Sequence, residues 1–183
     1  MIYIPILIAL VGWFFLYLLS INNAFRSETK DTLKEYIKSN IDLSDKALTV
    51  ISDIEKNIND IGTLNFLLKD WNSKVINHKS YILNLRGELI KKFNVPLNDQ
   101  SEFWIFLDNA ELPVVVDKDK DKDKDKLILE LNMYRRNISL NLNKIIRKAN
   151  VAFYKKFPRS ITSPGSKVFK IIIFLFLICL IIA

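Results

Sequence analysis

The chain has 183 residues, a formal charge of +7 and an apolar content of 50%, enough for one domain. A single cysteine, Cys179, excludes an internal disulfide and agrees with a reducing compartment. A single histidine, His78, with no second His or soluble Cys, leaves no zinc set and no Ser-based relay, and no Gly-rich phosphate loop occurs. No catalytic residue, cofactor or metal site is therefore expected.

Residues 1–21 predict the first element. Ile2 to Ile21 carries no charge, and the first charged residue is Arg26. At about 1.5 Å per residue this helix crosses the ~30 Å hydrocarbon core of a bilayer. Tyr3 and Tyr17 lie near its ends, where membrane interfaces favour aromatics. A cleaved signal peptide would need a basic leader and a small-residue cleavage site. The basic leader is absent and the cleavage site unconvincing, which favours an uncleaved anchor.

Residues 22–113 read as the first part of a helical bundle, because Gly and Pro are scarce and apolar residues recur at three and four. Leu33, Ile37 and Ile41 form one stripe, continuing the membrane helix. Leu48, Ile51, Ile58 and Ile61 form the next, with Asp42 or Ser44 as N-cap and Gly62 as stop. A third stripe runs Leu64, Leu68, Trp71, Val75, His78, Ile82, Leu85 and Leu89, capped by Thr63 and ending before Asn94-Val95-Pro96. His78 falls in register with Val75 and Ile82, which marks it as a core or boundary residue. A short helix follows over Ser101 to Asn109.

Residues 114–126 contain five Asp alternating with five Lys. A calcium loop opening at Asp117 would need Gly where Lys122 stands and a bidentate Glu where Ile128 stands. Each Asp after Asp117 also has a Lys on both sides. The run reads as a charged flexible linker or a frayed first turn of the helix that begins near Leu127, because it holds no apolar residue whose burial would offset the entropy of ordering.

Residues 127–167 carry the long last helix and a juxtamembrane segment. Leu127, Leu131, Tyr134, Ile138, Leu142, Ile145, Ala149 and Ala152 form its stripe, which stops at Phe157-Pro158. Residues 168–183 are apolar except Lys170 and form a second, short membrane helix, with Lys170 snorkelling toward the headgroups. The alternative, a buried terminal helix, would rarely lack polar residues on every face. The expected fold is therefore all-α, with two transmembrane helices flanking an antiparallel bundle of three to four long helices.

Basic residues flank both spans on their inner sides: Arg26, Lys30, Lys34 and Lys38 after the first, Arg147 to Lys170 before the second. The positive-inside rule then puts the central domain in the cytoplasm and both termini outside. In that orientation the sequon Asn137-Ile138-Ser139 is unused. The best functional patch is the basic and aromatic stretch around Phe153 to Arg159. Tyr154, Lys155, Lys156, Arg159, Lys167 and Lys170 are candidates for contact with the membrane surface, since each basic residue contributes about 1 kcal/mol near anionic lipid. The plainer alternative is that these charges only fix topology. Nucleic acid is not an expected partner, because no recognisable module accompanies the charge.

Several stretches resemble the LemA family of bacterial membrane-anchored helical proteins. Ser20-Ile21-Asn22-Asn23 follows the first span as a similar sequence does there, and Tyr36, Ile41 and Leu43 sit at similar offsets in the first helix. Val95-Pro96-Leu97 with Trp104, Leu107 and Asp108 is similar to the family's turn and the helix after it. Glu130-Leu131, Ile138, Asn143, Asn150 and Phe157-Pro158 match the last helix. The charged run and the second span are additions to that pattern. The resemblance implies a long antiparallel cytoplasmic bundle at the inner membrane and no reaction.

The expected function is thus a non-catalytic membrane protein whose bundle acts as a scaffold for an unknown protein partner or for self-association. The alternative is a two-span pore or a lysis or transport assembly; the near absence of polar residues in the spans weighs against a water-lined path.

Overall fold

A computed structural model of the chain describes residues 3–97, 101–112 and 122–158, with the single positions 170, 171, 174 and 178; for 3–8 and 122–124 it describes the backbone alone. Among these residues all the regular secondary structure is helix. Helix α1 spans Tyr3–Lys56, α2 Ile61–Lys91, α3 Ser101–Ala110 and α4 Lys122–Lys156.

Helix α1 departs from the division expected at Asp42 or Ser44. It is one unbroken helix of 54 residues, about 80 Å long at the standard rise. Neither Asp42 nor Ser44 caps a new helix; Ser44 is buried within the continuous one. The reason lies in the register. The buried positions are Thr29, Leu33, Tyr36, Asn40, Leu43, Ser44, Ala47, Ile51 and Ile54, a line spaced by threes and fours that runs straight through the expected break. Ile37, Ile41 and Leu48 are only half-buried on its flanks, and Ile58 and Ile61, also half-buried, lie beyond the helix in the turn and at the start of α2.

The turn into α2 is set by Asp60, not by Thr63 or Gly62. Asp60 Oδ1 accepts from the N–H groups of Gly62 (3.1 Å) and Thr63 (3.2 Å), and Thr63 Oγ1 donates to Asp60 Oδ2 (2.6 Å). A carboxylate three residues earlier serves as the cap that Thr63 was expected to supply, and Gly62 lies in the first turn of α2 rather than after α1. At the other end, Asn94 adopts φ 52° and Val95 N–H donates to Leu89 O at 2.9 Å. Asn tolerates this left-handed conformation better than other side chains with a Cβ, and Pro96 then prevents the helix from continuing.

The expected third stripe is the observed one. Leu64, Leu68, Trp71, Val75, Ile82, Leu85 and Leu89 are all buried, with His78 half-buried between them. Helix α4 opens at Lys122, so Lys122 to Lys126 of the charged run are helical, five residues earlier than the expected start near Leu127. Residues 113–121, the rest of the run, lie outside the described residues.

Cross-helix contacts give the topology. Lys92 bonds Glu28 (2.5 Å) at one end of the α1–α2 pair, while the short Asn57–Asp60 turn joins the helices at the other. Phe157 meets Phe25 (5.9 Å between rings), and Arg135 bonds Glu55 (2.7 Å). Helices α2 and α4 therefore both run antiparallel to α1. Helix α3 runs parallel to α1, with Glu102 on Lys148 (2.6 Å), Asn109 beside Asn137 (3.2 Å) and Ala110 O on Trp71. The arrangement is an up-down-up-down bundle with a short third helix. Its apolar side chains form one continuous core from Leu33 to Phe157.

Among the described residues no helix is long and apolar enough to cross a membrane. Of the apolar segment Ile2 to Ile21, the described side chains are those from Ala9 onward. None of the side chains from Ala9 to Ala24 is buried. The expected second span, residues 168–183, lies outside the described residues apart from its four single positions.

Candidate functional site

The expected membrane-surface residues fall at the end of the bundle where α1 leaves it. There Phe25 of α1, Phe93 after α2 and Phe153 and Phe157 of α4 form an aromatic plug, with ring centroids 5.2 to 5.9 Å apart. Each tilted pair adds about 0.5–1.5 kcal/mol beyond the area it buries. The plug explains why the α4 terminus is fixed beside α1: Phe157, just past the helix end, meets Phe25, and Phe153 one turn earlier packs against Phe157.

The motif Phe153-Tyr154-Lys155-Lys156-Phe157 is thereby divided. Its two phenylalanines are buried, while Tyr154, Lys155 and Lys156 are exposed on the outside of the plug, with Tyr154 edge-on to Phe153 at 5.4 Å. Lys92 lies at the same end, over the Phe93 ring at 4.8 Å and bonded to Glu28, which raises its pKa. Lys170 is helical and exposed. Arg159 and Lys167 lie outside the described residues.

A second cluster escaped the sequence reading. In mid-bundle, Tyr36 of α1, beside Asn40 one turn on, meets Arg86 of α2 and Phe103 of α3, and Arg86 also covers Trp104. The Arg86 guanidinium stacks on Phe103 at 4.6 Å and on Trp104 at 5.6 Å, and its Nη2 donates to Leu97 O at 2.6 Å. Asn40 Nδ2 donates to Tyr36 O at 2.7 Å. Three buried atoms, Tyr36 Oη, Asn40 Oδ1 and Arg86 Nε, have no well-formed hydrogen bond among the described residues. Burial pushes the Tyr36 hydroxyl well above the ordinary tyrosine range. The nearby Arg86 charge and the Asn40 and Arg86 polar groups oppose that shift more weakly, consistent with proximity without good bonding geometry. Two features of the sequence carried this cluster. Tyr36 and Asn40 are an i,i+4 pair, and both fall on the line spaced by threes and fours that the more apolar Ile37 and Ile41 obscured.

His78 sits at the α1–α2 boundary. Its Nε2 lies 3.2 Å from Lys46 Nζ, a contact that requires the neutral ring with Nε2 as acceptor. Burial, then the Lys46 charge, lowers its pKa, against a weaker pull from Asp42. The ring thus serves as a neutral acceptor joining two helices.

The chain matches no protein-family model, no curated protein and no solved structure.

Proposed function

We propose that the protein is a two-span membrane anchor whose cytoplasmic helical bundle is a scaffold for a protein partner, similar in plan to LemA proteins and without catalysis. The observation that carries this reading is the continuity of α1. Leu10, Trp13, Phe14, Leu16, Tyr17 and Ile21 are exposed on the same helix that supplies the bundle core from Leu33 to Ile54. Large apolar side chains this dense on an unpartnered helix are stable in lipid and an aggregation hazard in water. Supporting it, Tyr154, Lys155 and Lys156 cluster around the aromatic plug at the end of the bundle that faces this segment, where headgroups would lie. The second span, residues 168–183, rests on sequence alone.

Reporter fusions test the topology. A fusion at residue 120 is expected to read cytoplasmic, and one after Ala183 external. An external signal at 120 would overturn the orientation. Conductance across liposomes holding the purified chain would replace the scaffold with the pore reading.

A further inference from the structure

Helix α4 carries two apolar stripes, and the bundle uses one. The inner stripe is Leu127, Leu131, Ile138, Ile145, Ala149 and Ala152. Two residues further on, and so on the opposite side of the helix, lie Leu129, Met133, Leu140 and Val151. They are 63%, 57%, 49% and 61% exposed. With Arg136, Asn143 and Arg147 they complete a second line spaced by threes and fours, with two fours in succession around Arg147, over about 33 Å of helix. Single exposed apolar residues need no explanation, but a heptad-spaced line of them on a helix is the pattern by which one helix receives another.

The charge on this face has one sign. From Leu131 to Lys156 the helix contains no acidic residue. Arg135 and Lys148 are directed to Glu55 and Glu102 of the bundle. Lys144 also lies near enough to Glu102 to act on it. Arg136 and Arg147, in line with the exposed apolar residues, form no ion pair among the described residues. The other long helices differ. Beyond Ile21, α1 exposes no large apolar residue, and its outer face mixes Lys30, Asp31, Lys34, Glu35 and Lys38. Helix α2 exposes Phe66, Ile76 and Leu83, but there Lys74 is neutralised by Asp70 (2.7 Å).

We infer that the outer face of α4 is a docking surface for an acidic amphipathic helix of another protein. Such a helix would present apolar residues at four-three spacing to Leu129, Met133, Leu140 and Val151, with Asp or Glu beside them for Arg136 and Arg147. This rests on the scaffold reading and names the partner's chemistry. A second copy of the chain fits poorly. Two copies aligned in parallel in one membrane would set Arg136 against Arg136 and Arg147 against Arg147, and like charges meeting in a helix seam are destabilising.

The test uses the full chain in nanodiscs of zwitterionic lipid. One labelled probe is a four-heptad helical peptide with Leu at its seam and Glu beside it; the other carries Lys in place of every Glu. We expect the Glu peptide to raise fluorescence anisotropy on binding, with an affinity that falls as salt rises, and the Lys peptide not to bind. Leu140→Glu, and separately the pair Arg136→Glu and Arg147→Glu, should weaken binding at least about tenfold (about 1.4 kcal/mol). Because these side chains are exposed, the melting curves of the variants should match the parent. Equal binding of both peptides, binding by neither, or unchanged binding by the variants would overturn the inference. So would a dimer in sedimentation that Leu140→Glu dissolves. Peptide binding does not depend on which side of the membrane the bundle occupies, so a failed topology test and a failed docking test are separate results.

Discussion

Replacing Trp71 by Ala removes the largest side chain on the inner face of α2. It is buried, and its Nε1 donates to Ala110 O at 2.7 Å, where α3 ends. Two losses follow. Truncating a buried Trp costs about 3–5 kcal/mol through lost transfer energy and the cavity left behind. The Ala110 carbonyl loses its partner, which costs about 1–3 kcal/mol if water cannot replace it. The neighbouring Asn72, which accepts from Leu112 N–H and donates to Leu112 O, still holds the chain just beyond α3, so the second loss should fall at the low end. The expected total is about 4–6 kcal/mol by these ranges, a large part of the ~5–15 kcal/mol that holds a domain together. Trp71→Phe separates the terms: it keeps most of the volume and loses the hydrogen bond, so it should cost well under half as much. Guanidinium unfolding followed by far-ultraviolet circular dichroism measures both. A Trp71→Ala midpoint close to the parent's would refute the tie between α2 and α3 and place this stripe on a binding face instead.

Three further outcomes follow from the polar groups. Tyr36 has a raised pKa in the folded chain, so its contribution to stability is complete below the unfolded value of about 10 and is lost as pH climbs above it; Tyr36→Phe should reduce that alkaline loss and, because the hydroxyl has no good partner, leave neutral-pH stability equal or higher. His78 has a lowered pKa, so its contribution is present above its unfolded value of about 6.5 and fades as pH falls; melting curves from pH 7 to 5 should slope less in His78→Gln. Asp60 is held below the usual carboxylate range, first by the Thr63 hydroxyl and then by the Thr63 N–H, so Asp60→Ala should lower the melting temperature at pH 7 and make little difference once acid has protonated the carboxylate.

The parts of the fold legible in the sequence are those where burial and apolar identity coincide. From Leu64 to Leu89 every buried position is apolar, and the helix, its face and its end were all readable. In α4 from Leu127 to Ala152 the same holds except at its start and at Asn141, a buried polar residue on the inner face. No apolar pattern marks Lys122 to Lys126, yet the helix extends over them, and Lys126 lies 4.0 Å from Glu130 one turn on. The α1–α2 turn lies at Asn57–Asp60, a few residues before the expected stop at Gly62, and its cap is Asp60 rather than Thr63, because both are good caps and only the geometry shows a carboxylate receiving three donors where a hydroxyl would receive one. Of the candidate surface residues, Tyr154, Lys155 and Lys156 are exposed together; the aromatic plug behind them was not legible, because the four rings come from three separate stretches of chain.

Helix α1 was misread for a physical reason that also bears on its role. Three of its inward positions are polar: Thr29, Asn40 and Ser44. A search for apolar stripes slides off them onto Ile37 and Ile41 and then needs a break to recover the register. The folded chain instead satisfies the donors of Thr29 and Asn40 locally. Thr29 Oγ1 donates to Phe25 O at 2.7 Å and Asn40 Nδ2 to Tyr36 O at 2.7 Å, each one turn back along the same helix. The helix can therefore stay continuous while carrying polar groups in its core. A buried polar residue at a seam position costs stability and favours the register in which it is best accommodated. Here that register sets Tyr36 against Arg86 and Phe103, which fixes α1, α2 and α3 lengthwise against one another at a single level. Since α1 is unbroken from Tyr3 to Lys56, the same level also fixes how far its apolar first turns stand from the bundle.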